Sequence, residues 1–287
     1  MRVLITGAGG MVGRAAVIHC EGQGDRVFAY QREQLNISDN EAVAAAFDES
    51  RPDAVINCAA WTDVDGCEGD TERAYNVNAR GPEVLATQSR RVGSSFVTIS
   101  TDYVFDGTKS GFYTQRDDQN PQSVYGRAKL DGERRAAAVS ARTAIVRTGW
   151  VFGSGGKNFL SLVVDLARRG QHSKAIIDAY GTPTYAPHLA ARLRDLAELD
   201  LPGTYHVANS GEGVSYEEFA RTALKAAQLS HVELEPVRHD SLSRPAPRPV
   251  NSRLRCLLSE AVGLSPLPEW QEALREFVAA SLRQRPN

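Results

Sequence analysis

The amino-acid sequence predicts an α/β protein in which a doubly wound parallel sheet is followed by a smaller C-terminal domain. Short apolar segments alternate with segments of helical composition up to about residue 150, which is the pattern of a parallel sheet with right-handed crossovers. The first apolar segment runs directly into a cluster of glycines, and after residue 150 the regular alternation ends. We therefore expect a sheet domain over residues 1–150, to which the chain returns near 185–207, and a lid over residues 151–287.

Five apolar runs are predicted to form the main sheet, each separated from the next by a predicted helix. The predicted strands cover residues 2–6, 26–30, 54–60, 94–100 and 143–151. The predicted helices cover residues 15–20, 41–49, 70–91 and 125–139. Asn76 and Asn78 lie in the middle of the third helix, where asparagine is mildly unfavourable, and this indicates an inward role for their side chains.

The segment after residue 150 is predicted to form a smaller domain over the carboxyl edge of the sheet. Its predicted helices cover residues 158–169, 189–199 and 269–282, and its predicted strands cover residues 175–178 and 203–209. Ser215 and Glu218 have the spacing of a capping box, which predicts that a further helix begins there. The proline-rich segment 243–254 precedes the last helix, and we expect it to be a fixed loop that contacts substrate.

The composition is that of an ordinary soluble protein. The chain has 287 residues, of which 42% are hydrophobic and 24% charged, and its formal net charge is −2. This balance indicates neither a nucleic-acid surface nor a membrane span, and the N-terminus has no signal pattern. The cysteines Cys20, Cys58, Cys67 and Cys256 are scattered without zinc-site spacing. We expect reduced thiols, a cytoplasmic location, and no metal, nucleic-acid or membrane partner.

The glycine cluster at the N-terminus predicts a dinucleotide site. Gly7, Gly10 and Gly13 follow the first strand in a GxxGxxG spacing and precede a helical segment. Glycines at these positions let backbone amides and a helix N-terminus approach a pyrophosphate closely. The order of strand, glycine turn and helix is the context that this function requires.

The end of the second strand predicts which dinucleotide is bound. NAD sites usually place a carboxylate there to accept hydrogen bonds from the adenosine ribose, but this chain has Gln31 and Arg32. A guanidinium can pair with the 2′-phosphate of NADP, so NADPH is the expected cofactor. Glu33, one residue further, keeps NADH as an alternative, and a solvated Arg32 also remains open.

A candidate catalytic group follows the fourth strand. Tyr125 and Lys129 are four residues apart on a predicted helix, so they share one face. A nearby ammonium is expected to lower the pKa of the phenol, which suits a proton donor to a carbonyl under reduction. A hydroxyl from Ser100 or Thr101 would hold the carbonyl oxygen. Taken alone, the same spacing also fits a solvated helix face.

Several motifs in order give the chain a resemblance to a known family. They are the glycine turn, NCAAWTDVD, STDYVFDG, YGRAK, RTGWVFGSGGKNF, GTPTY and RPVNS. With these motifs the chain resembles the extended short-chain dehydrogenases, which have a Rossmann-like fold, and within them the dTDP-4-dehydrorhamnose reductases. The resemblance covers almost the whole chain. It implies reduction of the C4 ketone of a dTDP-linked 6-deoxy-4-keto sugar by NAD(P)H.

The resemblance also implies roles for individual residues. Thr101 would hold the C4 oxygen, Tyr125 would be the acid, and Lys129 would bind the nicotinamide ribose and tune Tyr125. Asp102 and Trp150 would contact the sugar nucleotide, and a core position for Trp150 is the less favoured alternative. The residues implied at the cofactor, beside Tyr125 and Lys129, are Gly7, Gly10, Met11, Val12, Gly13, Arg32, Asn36, Ile37, Ala60, Trp61, Thr62 and Ile99.

Several positions depart from the family pattern, and two of them bear on the cofactor and on the assembly. Asn36 stands where the family usually has aspartate on the adenine side of the cofactor. Some members carry a glutamate after the glycine turn that helps bind a magnesium ion between two subunits, whereas this chain has Arg14 followed by two alanines. Since magnesium needs oxygen ligands, we expect a monomer or a homodimer that is not bridged by magnesium.

Two other functions remain open at this point. One is a nucleotide-sugar epimerase or dehydratase on the same scaffold, although dehydratases usually have additional acidic groups beside the catalytic hydroxyl. The other is a non-catalytic, NADP-binding regulatory subunit that resembles the β subunit of methionine adenosyltransferase. The joint presence of Thr101, Tyr125 and Lys129 favours the reductase. Oxidation of NADPH in the presence of a dTDP-4-keto-6-deoxy sugar would separate the three.

Overall fold

The computed structural model describes residues 1–156 and 158–283, and a six-stranded parallel sheet forms its centre. The strands are β1 (Arg2–Thr6), β2 (Arg26–Tyr30), β3 (Ala54–Asn57), β4 (Ser95–Thr101), β5 (Thr143–Thr148), β6 (Val151–Phe152), β7 (Ser173–Ile176), β8 (Tyr180–Gly181), β9 (Thr184–Tyr185), β10 (Gly203–His206), β11 (Val214–Ser215) and β12 (Leu234–Val237). The main sheet has the order β10-β5-β4-β3-β1-β2.

The helices cover both faces of this sheet and build the C-terminal part. They are α1 (Met11–Gly22), α2 (Asn40–Ser50), α3 (Val64–Gly69), α4 (Thr71–Tyr75), α5 (Gly81–Val92), α6 (Val124–Val139), α7 (Phe159–Arg168), α8 (Ala186–Leu199), α9 (Tyr216–Ala226) and α10 (Trp270–Arg283). A π-helix over Asn76–Arg80 joins α4 to α5, and a 3-10 turn over Asp102–Val104 follows β4. None of the described helices is long and apolar enough to cross a membrane.

Alternation of side chains along the strands divides the core into two layers. Val3 and Ile5 of β1 belong to a buried cluster with residues of α1 and α8, whereas Leu4 belongs to one with residues of α2, α5 and α6. A sheet buried on both faces reads as a continuous apolar run, which is why β1 was recognisable in the sequence. The predicted doubly wound parallel sheet is confirmed.

The strand order creates a crevice above β1. β2 pairs with β1 on one side and β3 pairs with it on the other, both in parallel. The chain therefore winds in opposite directions from β1, and ligands in such sheets bind at this point, outside the carboxyl ends of the strands. The glycine turn that follows β1 lies at this position.

The chain leaves the main sheet after β5 and later returns to it. β10 pairs in parallel with β5 and becomes an edge strand of the main sheet, and α8 packs against α1. The remaining short strands form three separate two-stranded sheets. An aromatic cluster that includes Phe152, Phe219, Trp270 and Phe277 joins α9 and α10 into a second core.

Three predicted elements differ from the structure. The third strand ends at Asn57 instead of residue 60, because the Asn57 side chain accepts a hydrogen bond from the Thr6 hydroxyl (2.7 Å) and from the Ala59 amide (3.1 Å), which turns the chain. The predicted helix 70–91 contains a π-helix in its middle, and α3 precedes it. The fifth strand ends at Thr148, because Trp150 has a left-handed backbone conformation with φ 48°.

Candidate active site

The turn between β1 and α1 requires glycine at two positions. Gly7 has φ +66°, and a Cβ there would lie 2.6 Å from the amide nitrogen of Ala59. A Cβ on Gly13 would lie 2.1 Å from the carbonyl oxygen of Gly7. Since any larger residue would force the turn open, these glycines hold the N-terminus of α1 close to the end of β1.

The N-terminus of α1 is suited to bind an anion. Its N-cap residue is Gly10, which has no side chain to accept hydrogen bonds from the first-turn amides, and the first turn contains no acidic residue. Met11 and Val12 begin the helix, so their amide groups belong to the positive end of the helix dipole. A pyrophosphate is the expected partner for such an end in this position.

A cleft of about 680 Å³ opens beside this turn, and its size and walls fit a dinucleotide. Predicted cofactor residues that line it are Gly7, Gly10, Arg32, Asn36, Ile37, Ala60 and Trp61. Those outside its walls are Met11, Val12, Gly13, Thr62, Ile99, Tyr125 and Lys129. Arg32 and Glu33 both line the cleft, so the structure brings a cation and a carboxylate to the expected adenosine end.

Arg73 is a further cleft residue that the sequence reasoning missed. Its guanidinium lies 4.2 Å from the centre of the Trp61 ring, and both side chains line the cleft. Arg73 lies on α4, outside every motif recognised in the sequence. The sequence carried no local signal for this contact.

The π-helix places Asn78 against the chain that forms one wall of the cleft. The Asn78 Oδ1 accepts a hydrogen bond from the Trp61 amide (2.9 Å), and its Nδ2 donates to the Trp61 carbonyl (3.0 Å). Asn76 donates to the Ser38 hydroxyl (3.1 Å) on the opposite wall. The buried Asn78 thus has the inward role that the sequence suggested, whereas Asn76 is exposed at the cleft. π-Helical turns of this kind are frequent at functional sites.

Three consecutive residues of β4 contact three side chains of α6. The Lys129 ammonium donates to the Ile99 carbonyl (2.6 Å), and the Ser100 hydroxyl donates to the Glu133 carboxylate. The Thr101 hydroxyl lies beside the Tyr125 phenol and acts to lower its pKa. Thr101, Tyr125 and Lys129 are thus brought together at the carboxyl edge of the sheet.

Burial has the largest effect on the pKa values of Tyr125 and Lys129. It raises the pKa of Tyr125 above its ordinary value of 10, and the negative charge of Asp102 acts in the same direction. The expected lowering of the phenol pKa by Lys129 is therefore wrong for the ligand-free protein, in which Lys129 is directed to a backbone carbonyl. Burial lowers the pKa of Lys129 to about 8, against an opposing effect of Glu133.

Asp102 is buried beside this group. Its Oδ1 accepts from the Thr101 hydroxyl (3.0 Å), whereas its Oδ2 is buried without a hydrogen-bond partner among the described residues. Desolvation raises the pKa of Asp102 to about 6. A Cβ on Gly149 would lie 2.3 Å from the Asp102 Oδ2, so Gly149 makes room for the carboxyl group.

Trp150 lies between the sheet and the C-terminal part. Its ring stacks on Tyr216 with centroids 3.7 Å apart, and it lines a narrow cavity together with Tyr103 and Arg248. Trp150 is half-buried against the aromatic cluster, so it has both core and cavity contacts. Its left-handed backbone is unfavourable for a bulky residue, and such strain concentrates at functional sites.

The chain matches a known protein family and its members over almost its whole length. The model of the family described as RmlD substrate binding domain matches residues 1–283. The dTDP-4-dehydrorhamnose reductase of Mycolicibacterium smegmatis is 38% identical to this chain, over 97% of this chain and 85% of that protein.

Two solved structures have the same fold over nearly the whole chain. A dTDP-4-dehydrorhamnose reductase from Clostridium acetobutylicum has a TM-score of 0.94 and 36% identity, and the match covers 98% of this chain and 100% of that one. A dTDP-4-dehydrorhamnose reductase from Bacillus anthracis, in complex with NADP, has a TM-score of 0.93 and 32% identity, covering 97% and 98%.

The parallel sheet, the glycine turn and the Thr101–Tyr125–Lys129 group define a Rossmann-like protein of the extended short-chain dehydrogenase class. The match over residues 1–283 shows more: the chain belongs to the RmlD substrate binding domain family. The resemblance to dTDP-4-dehydrorhamnose reductases that the sequence motifs indicated is therefore confirmed.

Proposed function

We propose that this protein reduces the C4 ketone of a dTDP-linked 6-deoxy-4-keto sugar with NADPH, and that it converts dTDP-4-dehydrorhamnose to dTDP-rhamnose. The observation that carries the proposal is the convergence of Thr101, Tyr125 and Lys129 at one strand end, next to a cleft of dinucleotide size. The names of the relatives and the NADP in the Bacillus anthracis structure support the same substrate and cofactor.

The residues of the cleft fit NADPH. The uncapped N-terminus of α1 would hold the pyrophosphate, and the close packing around Gly7 and Gly13 leaves the backbone accessible to it. Arg32 would pair with the 2′-phosphate, and Trp61 would form the wall on which the rest of the dinucleotide packs. Lys129, held by the Ile99 carbonyl, would meet the ribose of the nicotinamide.

The chemistry requires a hydride at carbon and a proton at oxygen. NADPH, when bound, supplies the hydride to C4 of the sugar. The Thr101 hydroxyl would donate a hydrogen bond to the C4 oxygen and so stabilise the negative charge that develops there. Tyr125, whose raised pKa keeps the phenol protonated at neutral pH, would then transfer its proton to that oxygen to complete the alcohol.

The lid, residues 151–287 apart from the segment α8–β10 that returns to the main sheet, would bind the sugar nucleotide. Its last four residues and Lys157 lie outside the described structure. Trp150 and Asp102 are proposed to contact the substrate, since both lie where the lid meets the carboxyl edge of the sheet. We further propose that the working unit is a monomer or a homodimer without a magnesium bridge. The Arg14 side chain donates to the Gly9 carbonyl (2.8 Å) and supplies no oxygen ligand.

A substrate panel tests the proposal. The purified protein is mixed with NADPH and, separately, with dTDP-4-dehydrorhamnose, a UDP-linked 4-keto sugar and a UDP-hexose. We expect NADPH oxidation with the dTDP-linked ketone, and the Tyr125→Phe variant serves as the negative control. Interconversion of hexoses without net NADPH oxidation would indicate an epimerase. Binding of NADPH without turnover of any substrate would indicate a regulatory subunit.

A further inference from the structure

Glu133 is a buried carboxylate one helical turn beyond Lys129 on α6, and only 4% of it is exposed. The Arg147 guanidinium of β5 donates to both of its oxygens, with Nε 3.0 Å from Oε1 and Nη2 2.7 Å from Oε2. The Ser100 hydroxyl of β4 also donates to Oε1. Side chains of two strands, β5 and β4, therefore hold the Glu133 carboxylate in one position.

A buried ion pair of this kind needs an explanation other than stability. Glu133 and Arg147 are only 4% and 5% exposed, and the desolvation of two buried charges cancels most of their attraction. Apolar side chains of similar volume would stabilise the same place about as well. What the pair does provide is a carboxylate at a fixed position, next to another buried charge.

That other charge is the Lys129 ammonium. Ile99, whose carbonyl accepts from Lys129, directly precedes Ser100, whose hydroxyl holds Glu133. One strand end thus sets the positions of both side chains relative to each other. Burial lowers the pKa of Lys129 to about 8, and the negative charge of Glu133 acts against this effect.

Among the described residues, no carboxylate other than Glu133 acts on the pKa of Lys129. The titratable groups on the described elements packed against α6 are Asp65, Cys67, Glu68, Glu72, Arg73, Tyr75, Arg80, Glu83, Arg90, Arg91, Asp102, Tyr103 and Arg147, and α6 itself adds Tyr125, Arg127, Asp131, Arg134 and Arg135. In the part of the chain that the structure describes, Glu133 is the charged group that acts on the pKa of Lys129, and it acts against the effect of burial. Glu83 is paired instead with Arg135 at 3.0 Å on the outer side of the helix.

We propose that Glu133 is a positioning residue of the reductase, which keeps the Lys129 ammonium charged and in place through its own contacts with Arg147 and Ser100. The inference rests on the proposed function, because it assumes that the reaction uses Lys129 as an ammonium. This role explains the buried Glu133–Arg147 pair, for which neither the fold nor the cofactor cleft accounts. Glu133 itself touches neither substrate nor cofactor.

The test is a pH titration of Lys129 in the ligand-free protein. Lysine labelled with ¹³C at Cε is followed by NMR in the wild type and in Glu133→Gln, and the Lys129 signal is assigned with Lys129→Arg. We expect the midpoint of Lys129 to fall by about one pH unit in the Gln variant, because one opposing charge is removed. Glu83→Gln removes a charge of α5 that pairs with Arg135 on the outer side of α6, and it should leave the midpoint unchanged.

Glu133→Gln leaves Arg147 buried without its partner and could fail to fold. Glu133→Asp retains the carboxylate for Arg147 but shortens the side chain, so it should lower the Lys129 midpoint in the same direction by a smaller amount. An unchanged Lys129 midpoint in every folded Glu133 variant would overturn the inference. This readout needs no substrate and stands even if the proposed reaction is wrong.

The pH profile of kcat/KM connects the titration to catalysis. The alkaline limb of the profile should shift with the NMR midpoint of Lys129 in each variant, and Glu133→Asp should restore most of the wild-type profile. A merely structural role would lower activity equally at all pH values. An NMR shift that the alkaline limb does not follow would overturn the claim that Glu133 serves the reaction through this charge.

Discussion

The Asp65 carboxylate and the Arg248 guanidinium form a two-pronged ion pair between helix α3 and the proline-rich segment of the lid. Nη1 of Arg248 lies 2.8 Å from Oδ1 of Asp65, and Nη2 lies 2.7 Å from Oδ2. The Ala246 amide donates to the same carboxylate at 3.0 Å. Arg248 also lines the cavity beside Trp150, so the pair fixes one wall of the proposed substrate site.

Removal of Asp65 should loosen the proline-rich segment locally. In Asp65→Ala, we expect the Ala246 amide to exchange with deuterium about five- to tenfold faster, because a partly exposed ion pair contributes roughly 1 kcal/mol. Hydrogen exchange followed by NMR measures this directly. Asp53→Ala removes a carboxylate that pairs with Arg2 elsewhere on the sheet, and it should leave Ala246 unchanged. An Ala246 exchange rate that is equally slow in Asp65→Ala would show that other contacts hold the segment.

Loss of the Tyr125 hydroxyl should remove the proton donor. We expect Tyr125→Phe to retain NADPH binding while kcat falls by about 10²-fold or more, since general acid catalysis contributes roughly 10²- to 10⁴-fold. Steady-state kinetics and a cofactor titration measure the two quantities. Tyr75→Phe alters a tyrosine packed on the same cluster and should be close to wild type. Near-normal turnover in Tyr125→Phe would reject the assignment.

Arg32 should set the preference between the two nicotinamide cofactors. A charge-assisted contact to the 2′-phosphate is worth about 1.5–3 kcal/mol, so NADPH should be preferred by roughly ten- to a hundredfold in kcat/KM. Arg32→Ala should erase most of this preference, whereas Glu33→Gln should retain it. Equal or better use of NADH by the unaltered protein would mean that Arg32 does not contact the cofactor.

The buried His206 should make the fold sensitive to acid. Burial and the charge of Arg147 lower the pKa of His206 to about 4, against about 6.5 for an unfolded chain. Between these values the unfolded state binds more protons, so stability falls as the pH falls through this window. The contribution lost between neutral pH and about pH 4.5 is about 2 kcal/mol.

Urea unfolding of the wild type and of His206→Gln, each at neutral pH and at about pH 4.5, measures the free energy of unfolding that this prediction concerns. The Gln variant should lose less stability on acidification than the wild type. His231→Gln, which changes an exposed histidine, should behave as the wild type does. An equal acid sensitivity in His206→Gln and the wild type would mean that other groups cause the loss.

The sequence predicted those structural features that depend on a local pattern of residues. β1 was recognisable because a strand buried on both faces is a continuous apolar run, and the glycine turn was recognisable because Gly7 and Gly13 have no substitutes in that backbone. The i, i+4 spacing of Tyr125 and Lys129 also predicted that both lie at one site. These features are encoded within a few residues of each other.

Contacts between distant segments could not be predicted in the same way. Asp65 and Arg248 lie 183 residues apart, and neither belongs to a motif that names the other. The direction of the Tyr125 pKa shift was wrong because spacing alone reveals a nearby ammonium but not the extent of burial, which has the larger effect. The Glu133–Arg147 pair was missed because a charge near a helix middle usually indicates a solvated face.

The most direct test of the proposed reaction follows the hydride itself. The protein is incubated with dTDP-4-dehydrorhamnose and NADPH that carries deuterium at C4 of the nicotinamide, in separate runs for the two faces of the ring. NMR of the sugar product should show deuterium bound to C4 in one of the two runs, with a hydroxyl at the same carbon. Deuterium at another carbon, or a product without deuterium in both runs, would contradict a C4 reduction by this protein.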